Sequence, residues 1–578
     1  MNNDNNRALG APLNVVLALT VLAGAAARYW ALDWGLPSEL NIDETHFVPR
    51  AIKFGTGDLN PHFFLYPTLY MYMLFAAYAV YFVIGLAAGA FASASDFAIR
   101  YFLDPSPFYI IGRAMTATLS MLTALLVFAA ARRLFGKHAA FAAAVFFLLS
   151  PMNALHSHFV TADVPVTFFM TLSLFFGLLM METGARKYYL LAGFALGLAA
   201  AAKYTGILAA PALVLLHLLH AARGEGAKWK RCFLNANPYL MGAAAYAGFF
   251  AGCPFHVFDY GAFAAAVAQT RAVASGHWLG MEDVSSMWWR IIHEYLAGGV
   301  GAPVLALSVC GLVWAALSGN RGGAAVAFFA LFYYLFLGRY EGHNFERYWL
   351  PITPALSVLA GGALEAFARR LAPGKPWAAA LTGAAALALA LLNSPRLYEI
   401  NRHFSLPFTQ NIAREWIEKN IPAGSRIALE LHGPQPTGNL QSHLDAETRT
   451  YEPGDIVPEA EKFNVVGTAL GDKRAPSAGT GKKYLSLALE KKEKQYYLYG
   501  VFSLGSHPMG YYGKNGYAYL ISNSGIRDRY LAKPRHYPKT VEFYRALERE
   551  AELVKVFKPR KGKTVGPEIR IYRLRASP

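Results

Sequence analysis

Long apolar runs recur through the first 393 residues of the 578-residue chain and then stop. A bilayer-crossing helix needs about 20 apolar residues. Eleven spans are expected by that measure, near 12–32, 109–130, 139–156, 164–181, 188–203, 205–221, 234–253, 297–318, 323–338, 349–368 and 376–393. A further run, 66–89, is also long enough to cross. The turn ARRLFGKH, with Arg132, Arg133 and Lys137, follows the 109–130 span. Short basic turns stay in the cytoplasm. This one does so only if 66–89 lies along the outer interface or re-enters, so 66–89 is read as non-spanning. The other inner turns are then basic as well, with Arg186 and Lys187, with Arg223, Lys228, Lys230 and Arg231, with Arg321, and with Arg369, Arg370 and Lys375. The first run ends in AGAAAR, similar to a signal-peptidase site, and is expected to be retained as an anchor because so many spans follow.

Beyond Asn393 the pattern alternates between helix and strand. NIAREWIEKN reads as an amphipathic helix, and RIALELHG as a strand after the turn PAGS. KYLSLAL, GYAYLISNS, LVKVFK and EIRIYRL read as further strands, and EFYRALEREAE as a helix. The expected architecture is a polytopic α-helical membrane part over 1–393, with an outer loop at 33–107. A soluble α/β domain over 394–578 follows on the same outer side.

Composition agrees with a membrane protein. Hydrophobic residues make up 55% of the chain and charged ones 16%, where soluble domains carry about 25% charge. The net charge of +17 would suggest nucleic acid in a soluble protein. Here much of it is assigned to cytoplasmic loops, so no nucleic-acid partner is expected. Cys232, Cys253 and Cys310 are scattered and form no CxxC, which offers neither a zinc site nor a disulfide framework. There is no Walker or dinucleotide motif and no internal repeat.

The chemistry-bearing residues gather outside on this topology. The first outer loop holds Asp43 and Glu44 side by side in NIDETHFVPRAIKFGTGDLNPHFFLYPTLY, residues 41–70. A carboxylate at the bilayer surface can take a proton from an alcohol. Both acids are otherwise solvated loop residues. Asp163 opens a span in TADVP, as an N-cap, as a group facing a site, or as both. Lys203 ends an alanine-rich span and is followed at once by another. A lysine near membrane depth points to a functional partner, where it can hold a lipid phosphate as a point charge, unless it snorkels to the interface. Arg347, in HNFERYWLP, can clamp a phosphate with two hydrogen bonds or pair with a nearby glutamate. His46, His62, His156, His158, His256 and His277 are also outside, but no HExxH pattern marks a metal site, and none is expected. Trp288 and Trp289 read as interfacial anchors.

These motifs, in order, carry a resemblance. The Asp43-Glu44 pair and the stretch LYPTLY from Leu65 to Tyr70 come first. The GRAMTATLSMLTALLVFAAARRLFG span, the TADVPVTFF turn, the GLAAAAKYTGILA hairpin and the RYWLPITPAL span follow. The chain resembles the dolichyl-phosphate-mannose protein mannosyltransferases and their bacterial aminoarabinose-transferase relatives, within the GT-C glycosyltransferase superfamily. The likeness covers about residues 30–400 and says little about the sugar. The WW pair is followed by Arg290 rather than Asp, which departs from the WWDYG-type motif of oligosaccharyltransferases. The resemblance implies an inverting transfer of a sugar from a polyprenyl-phosphate donor to a hydroxyl acceptor on the outer face of the plasma membrane. Asp43 would be the general base, with Glu44 positioning it or the acceptor. Asp163 would orient the acceptor or a neighbouring cation, and Lys203 and Arg347 would meet the departing phosphate. No cofactor or metal is implied. A flippase or transporter of lipid-linked sugar is the alternative; it favours ionisable residues at mid-membrane and paired repeats, whereas here those residues lie at one face.

Overall fold

The computed structural model describes residues 10–223, 228–275, 279, 287–340, 344–375, 377–448 and 480–575. Most of the described residues before 400 are helical, with a loop over residues 30–68. Helix α1 (Ala11–Tyr29) leads to a polar loop containing the short α2 (Val48–Lys53). The helices α3 (Leu69–Ala87), α4 (Ala94–Leu103), α5 (Ser106–Phe135), α6 (Lys137–Leu148), α7 (Pro151–His156), α8 (Asp163–Thr183), α9 (Arg186–Ala202) and α10 (Ala210–Ala221) follow. Among the described residues, seven helices are long and apolar enough to cross a membrane, or nine if each of two bent pairs is one span. This count differs from the eleven spans expected, for local reasons. The 139–156 run is broken at Leu149–Ser150, where the Ser150 side chain caps a helix that restarts with Pro151. Helices α9 and Ala236–Gly252 stop at 17 residues each. The bent pairs are Met287–Val300 with Ala302–Leu317, at 110°, and Trp377–Leu391 with Ser394–Ser405, at 43°.

The 66–89 run folds as α3 and passes the same test of length and apolarity. Its partners lie along one end of α5. The Tyr70 hydroxyl meets Gly112 O and Thr116, and the Tyr78 hydroxyl donates to Phe108 O. Farther on, Tyr81 and Phe82 pack against Phe91 and Phe97. Helix α3 thus runs beside the first third of the 30-residue α5, away from Arg132 and Arg133 at the other end.

Two buried arginines tie the helices together. Arg28 of α1 donates to Ser120 Oγ and to the carbonyls of Gly24 and Leu148, at 2.8–2.9 Å. Arg113 of α5 is wholly buried and is described with the site. Burying an arginine is costly unless its donors are paired, and each of these makes four hydrogen bonds.

The C-terminal part forms a five-stranded sheet of β1 (Arg426–Glu430), β2 (Tyr497–Val501), β3 (Tyr519–Asn523), β4 (Glu552–Phe557) and β5 (Ile569–Arg573), in the order β2-β1-β3-β5-β4. Strand β1 is parallel to both β2 and β3, and β5 is antiparallel to β3 and β4. Four strands lie where the alternation placed them. KYLSLAL does not, since it lies in the Thr480–Leu489 helix. Its lysine, leucine and alanine content suits a helix, and the Tyr484 hydroxyl meets Ser95 of α4 at 3.0 Å. The remaining strand is β2, from QYYLYGV, which the alternation did not mark.

The sheet grips the first loop of the membrane part. Asn411 donates to Gly35 O at 2.9 Å. Gln435 pairs with both backbone groups of Glu39, at 2.7 and 3.0 Å. Lys492 donates to Leu103 O.

Glu430 closes β1 and is fully buried. It accepts from the backbone N–H groups of Leu504 and Asn523 and from the Tyr544 hydroxyl. Burial outweighs these donors and pushes its carboxyl from 4.5 up to about 7. A raised folded value means that folding takes up a proton. The stability Glu430 contributes is complete below about 4.5 and is lost as pH rises through about 7. Glu430→Gln should flatten that slope. Amide exchange of the sheet followed against pH checks this; a wild-type profile already flat over that window would contradict it.

Candidate active site

Asp43 precedes a tight 3-10 turn, Glu44–His46, held by Asn41, whose side chain accepts from Asp43 N at 3.1 Å and whose carbonyl accepts from Glu44 N. Successive residues of such a turn point in different directions, so the two acids part company. Asp43 remains 19% exposed and meets Arg347 Nη1 at 2.8 Å. Glu44 is fully buried and is held bidentate by Arg113, at 2.9 and 2.8 Å, while also accepting from Val160 N at 2.8 Å. Arg113 uses its remaining donor on the carbonyls of Leu32 and Trp34 and lies over the Trp34 ring. Glu44 therefore fixes the Asp43 turn against α5 and the 157–163 turn, and takes no place beside Asp43.

The second carboxylate comes from α8. Asp163 is the first helical residue, after an Ala162 N-cap position with no side-chain cap. It does not cap the helix; it receives Lys203 Nζ at 2.6 Å. Lys203 stands in an extended break, φ −153° and ψ 136°, between α9 and the Tyr204–Ala209 turn. That break takes the lysine out of helical register and turns its ammonium onto the Tyr348 ring, 4.3 Å away. Arg347 lies 5.6 Å from the same ring. Four residues expected from sequence, Asp43, Asp163, Lys203 and Arg347, thus form one charge-balanced cluster of two ion pairs around Tyr348. Glu44 is the one set apart.

The sequence reading placed Tyr66 in the LYPTLY motif and His156 among the outer histidines without giving either a role in this cluster, and did not name His432. Tyr66, from the LYPTLY stretch, senses Asp43, Arg347, Tyr348 and Asp163; burial and then Asp43 hold its phenol well above the ordinary range, so it stays protonated. His156 is buried within reach of all four charged residues. From the sheet, His432 follows β1 with φ +63°. Burial and Arg529 lower its imidazole pKa while Asp43 opposes, so the end of β1 lies within electrostatic reach of Asp43. The visible signal for Arg113 was a charge inside an apolar helix. For the histidines there was none beyond their position.

Tyr204, the residue after Lys203, lines an apolar groove of about 830 Å³ together with Leu196, Ile207, Leu213, Met241 and Phe249 among others. The Tyr204 hydroxyl donates to Phe64 O at 2.7 Å, joining the groove to the first loop. Among the described residues, no group of three His, Cys, Asp or Glu side chains is placed to hold a metal ion. Trp289 is exposed, whereas Trp288 packs on Tyr334. His277 lies outside the described residues.

A multi-helical membrane part with a charged cluster at one end, beneath an α/β sheet, is the arrangement of a GT-C fold. The fold is shared with ArnT from Cupriavidus metallidurans in the apo state, at 16% identity and a TM-score of 0.51, over 98% of this chain and 99% of that one. The same ArnT bound to undecaprenyl phosphate superposes with a TM-score of 0.49 at 16% identity, over 97% of each chain. An Archaeoglobus fulgidus oligosaccharyltransferase tethered to an acceptor peptide gives 0.48 at 13% identity, over 96% of this chain and 74% of that one. The family model for dolichyl-phosphate-mannose-protein mannosyltransferase matches residues 110–252. That segment includes Asp163 and Lys203. No curated protein sequence is similar enough to count as a match.

Proposed function

We propose that the protein is an inverting glycosyltransferase that moves a sugar from a polyprenyl-phosphate donor to a hydroxyl acceptor at the outer face of the membrane. The observation that carries this reading is the cluster of Asp43, Arg347, Asp163 and Lys203, with an apolar groove lined in part by Tyr204, the residue after Lys203. Such a donor has an anionic head and a long apolar tail, and cluster and groove suit the two parts in turn. The match of residues 110–252 to the mannosyltransferase model and the undecaprenyl phosphate held by ArnT agree with that choice of donor.

In this reading the phosphate enters between Lys203 and Arg347, whose charges meet the negative charge that grows as the sugar–phosphate bond breaks. Arg347 is drawn away from Asp43 by the arriving phosphate. The carboxylate is thereby released only when donor is present. It then takes the proton of the acceptor hydroxyl as that oxygen attacks the anomeric carbon from the side opposite the phosphate. Asp163 keeps Lys203 aimed at the leaving group. Glu44, locked on Arg113, holds the Asp43 turn in place. The sheet, pinned to residues 35–39, covers the side from which the acceptor arrives.

Lys203→Ala should weaken binding of undecaprenyl phosphate about ten- to a hundredfold, the size of one charge-assisted hydrogen bond, and should also lower the unfolding midpoint, because Asp163 is left buried without its ammonium partner. Titration of the lipid into protein held in nanodiscs measures this. An affinity equal to wild type would remove Lys203 from the phosphate site.

A further inference from the structure

The segment from α7 to the start of α8 carries three buried polar atoms with no hydrogen-bond partner among the described residues: Asn153 Nδ2, His156 Nε2 and Thr161 Oγ1. Native structures satisfy the great majority of such atoms, so each exception needs a reason. For His156 the surroundings supply one. The residue is only 9% exposed, and its ring lies within electrostatic reach of Asp163, Arg347, Lys203 and Asp43. Both cations and both carboxylates of the cluster act on the ring, yet Nε2 bonds to no described residue.

We propose that His156 Nε2 hydrogen-bonds a hydroxyl of the donor sugar and so makes the site discriminate between sugars. The assignment rests on the lipid-linked-donor reading above. Lys203 and Arg347 already supply positive charge for the phosphate, and Asp43 supplies the base for the acceptor. The sugar must lie between these ends. Every such sugar bears hydroxyls around its ring, and a neutral imidazole nitrogen suits a hydroxyl because it donates or accepts according to tautomer. The pairing of Arg347 with Asp43 opens when phosphate takes the guanidinium, which is also the step that brings the sugar to His156.

The test compares undecaprenyl phosphate with a panel of hexose- and pentose-bearing undecaprenyl phosphates, each titrated into the full-length protein in nanodiscs. Wild type, His156→Leu and His156→Gln are measured, each with its thermal unfolding midpoint. Wild type should bind its preferred sugar-bearing lipid about tenfold tighter than the bare lipid, the increment of one good hydrogen bond. His156→Leu should lose that increment while keeping bare-lipid affinity within about twofold. Its midpoint should stay level or rise, because an apolar side chain replaces an unsatisfied buried nitrogen. His156→Gln should recover part of the increment. The assignment is overturned if His156→Leu keeps the increment, if it weakens both lipids equally, or if wild type shows no increment. If wild type binds neither lipid, the lipid-donor reading itself is overturned, and this assignment with it.

Discussion

Asp43→Asn should abolish sugar transfer while leaving the lipid site intact. Loss of a general base lowers turnover by about 10²- to 10⁴-fold, and the asparagine is nearly isosteric, so the turn held by Asn41 survives. The structure adds a less obvious expectation. Asp43 is the partner of Arg347 at 2.8 Å, so removing its charge frees the guanidinium for phosphate. Affinity for undecaprenyl phosphate should therefore stay level or rise as turnover collapses. Single-turnover release of lipid, measured beside equilibrium binding, separates the two. Weaker lipid binding in Asp43→Asn would mean that the carboxylate supports the phosphate site rather than competing with it.

Arg113→Met should be the most damaging of the stability variants. Among the described residues it leaves the fully buried Glu44 carboxylate with the Val160 N–H alone as partner. Breaking a buried ion pair from one side costs about 3–5 kcal/mol. Glu44→Gln should cost less, because Arg113 keeps the carbonyls of Leu32 and Trp34. The double variant Glu44→Gln/Arg113→Met should be more stable than the sum of the single losses, since no uncompensated charge remains. Unfolding midpoints of the four proteins give the coupling. An Arg113→Met protein within about 0.5 kcal/mol of wild type, the range of an ordinary surface change, would show that the pair does not anchor the first loop.

The class of fold was legible because apolar runs of bilayer length have no other use in a chain of this size. Asp163, Lys203 and Arg347 were legible for a related reason: each stands where an apolar run ends or begins, and a charge there is costly unless it has a task; Asp43 was legible as one of an acidic pair in the first outer loop. Their meeting in one cluster required the fold, since 304 residues separate Asp43 from Arg347 (347 − 43). Adjacency misled in one respect. Asp43 and Glu44 are neighbours in sequence, but a 3-10 turn sends their side chains to different partners. The segments KYLSLAL and QYYLYGV were hard for the opposite reason. Both are short apolar stretches without a decisive period, and docking on α4 or pairing with β1 decided between helix and strand. His156 looks like any other of the sixteen histidines until its unpaired nitrogen is placed beside the cluster.

The most direct test of the central claim is release of polyprenyl phosphate. Purified protein in lipid is incubated with a panel of radiolabelled polyprenyl-phosphate sugars and an envelope extract as acceptor, with Asp43→Asn alongside. The account expects release with one sugar, dependent on Asp43. Tight binding of the lipids with no release from any of them, or release that persists unchanged in Asp43→Asn, would contradict it.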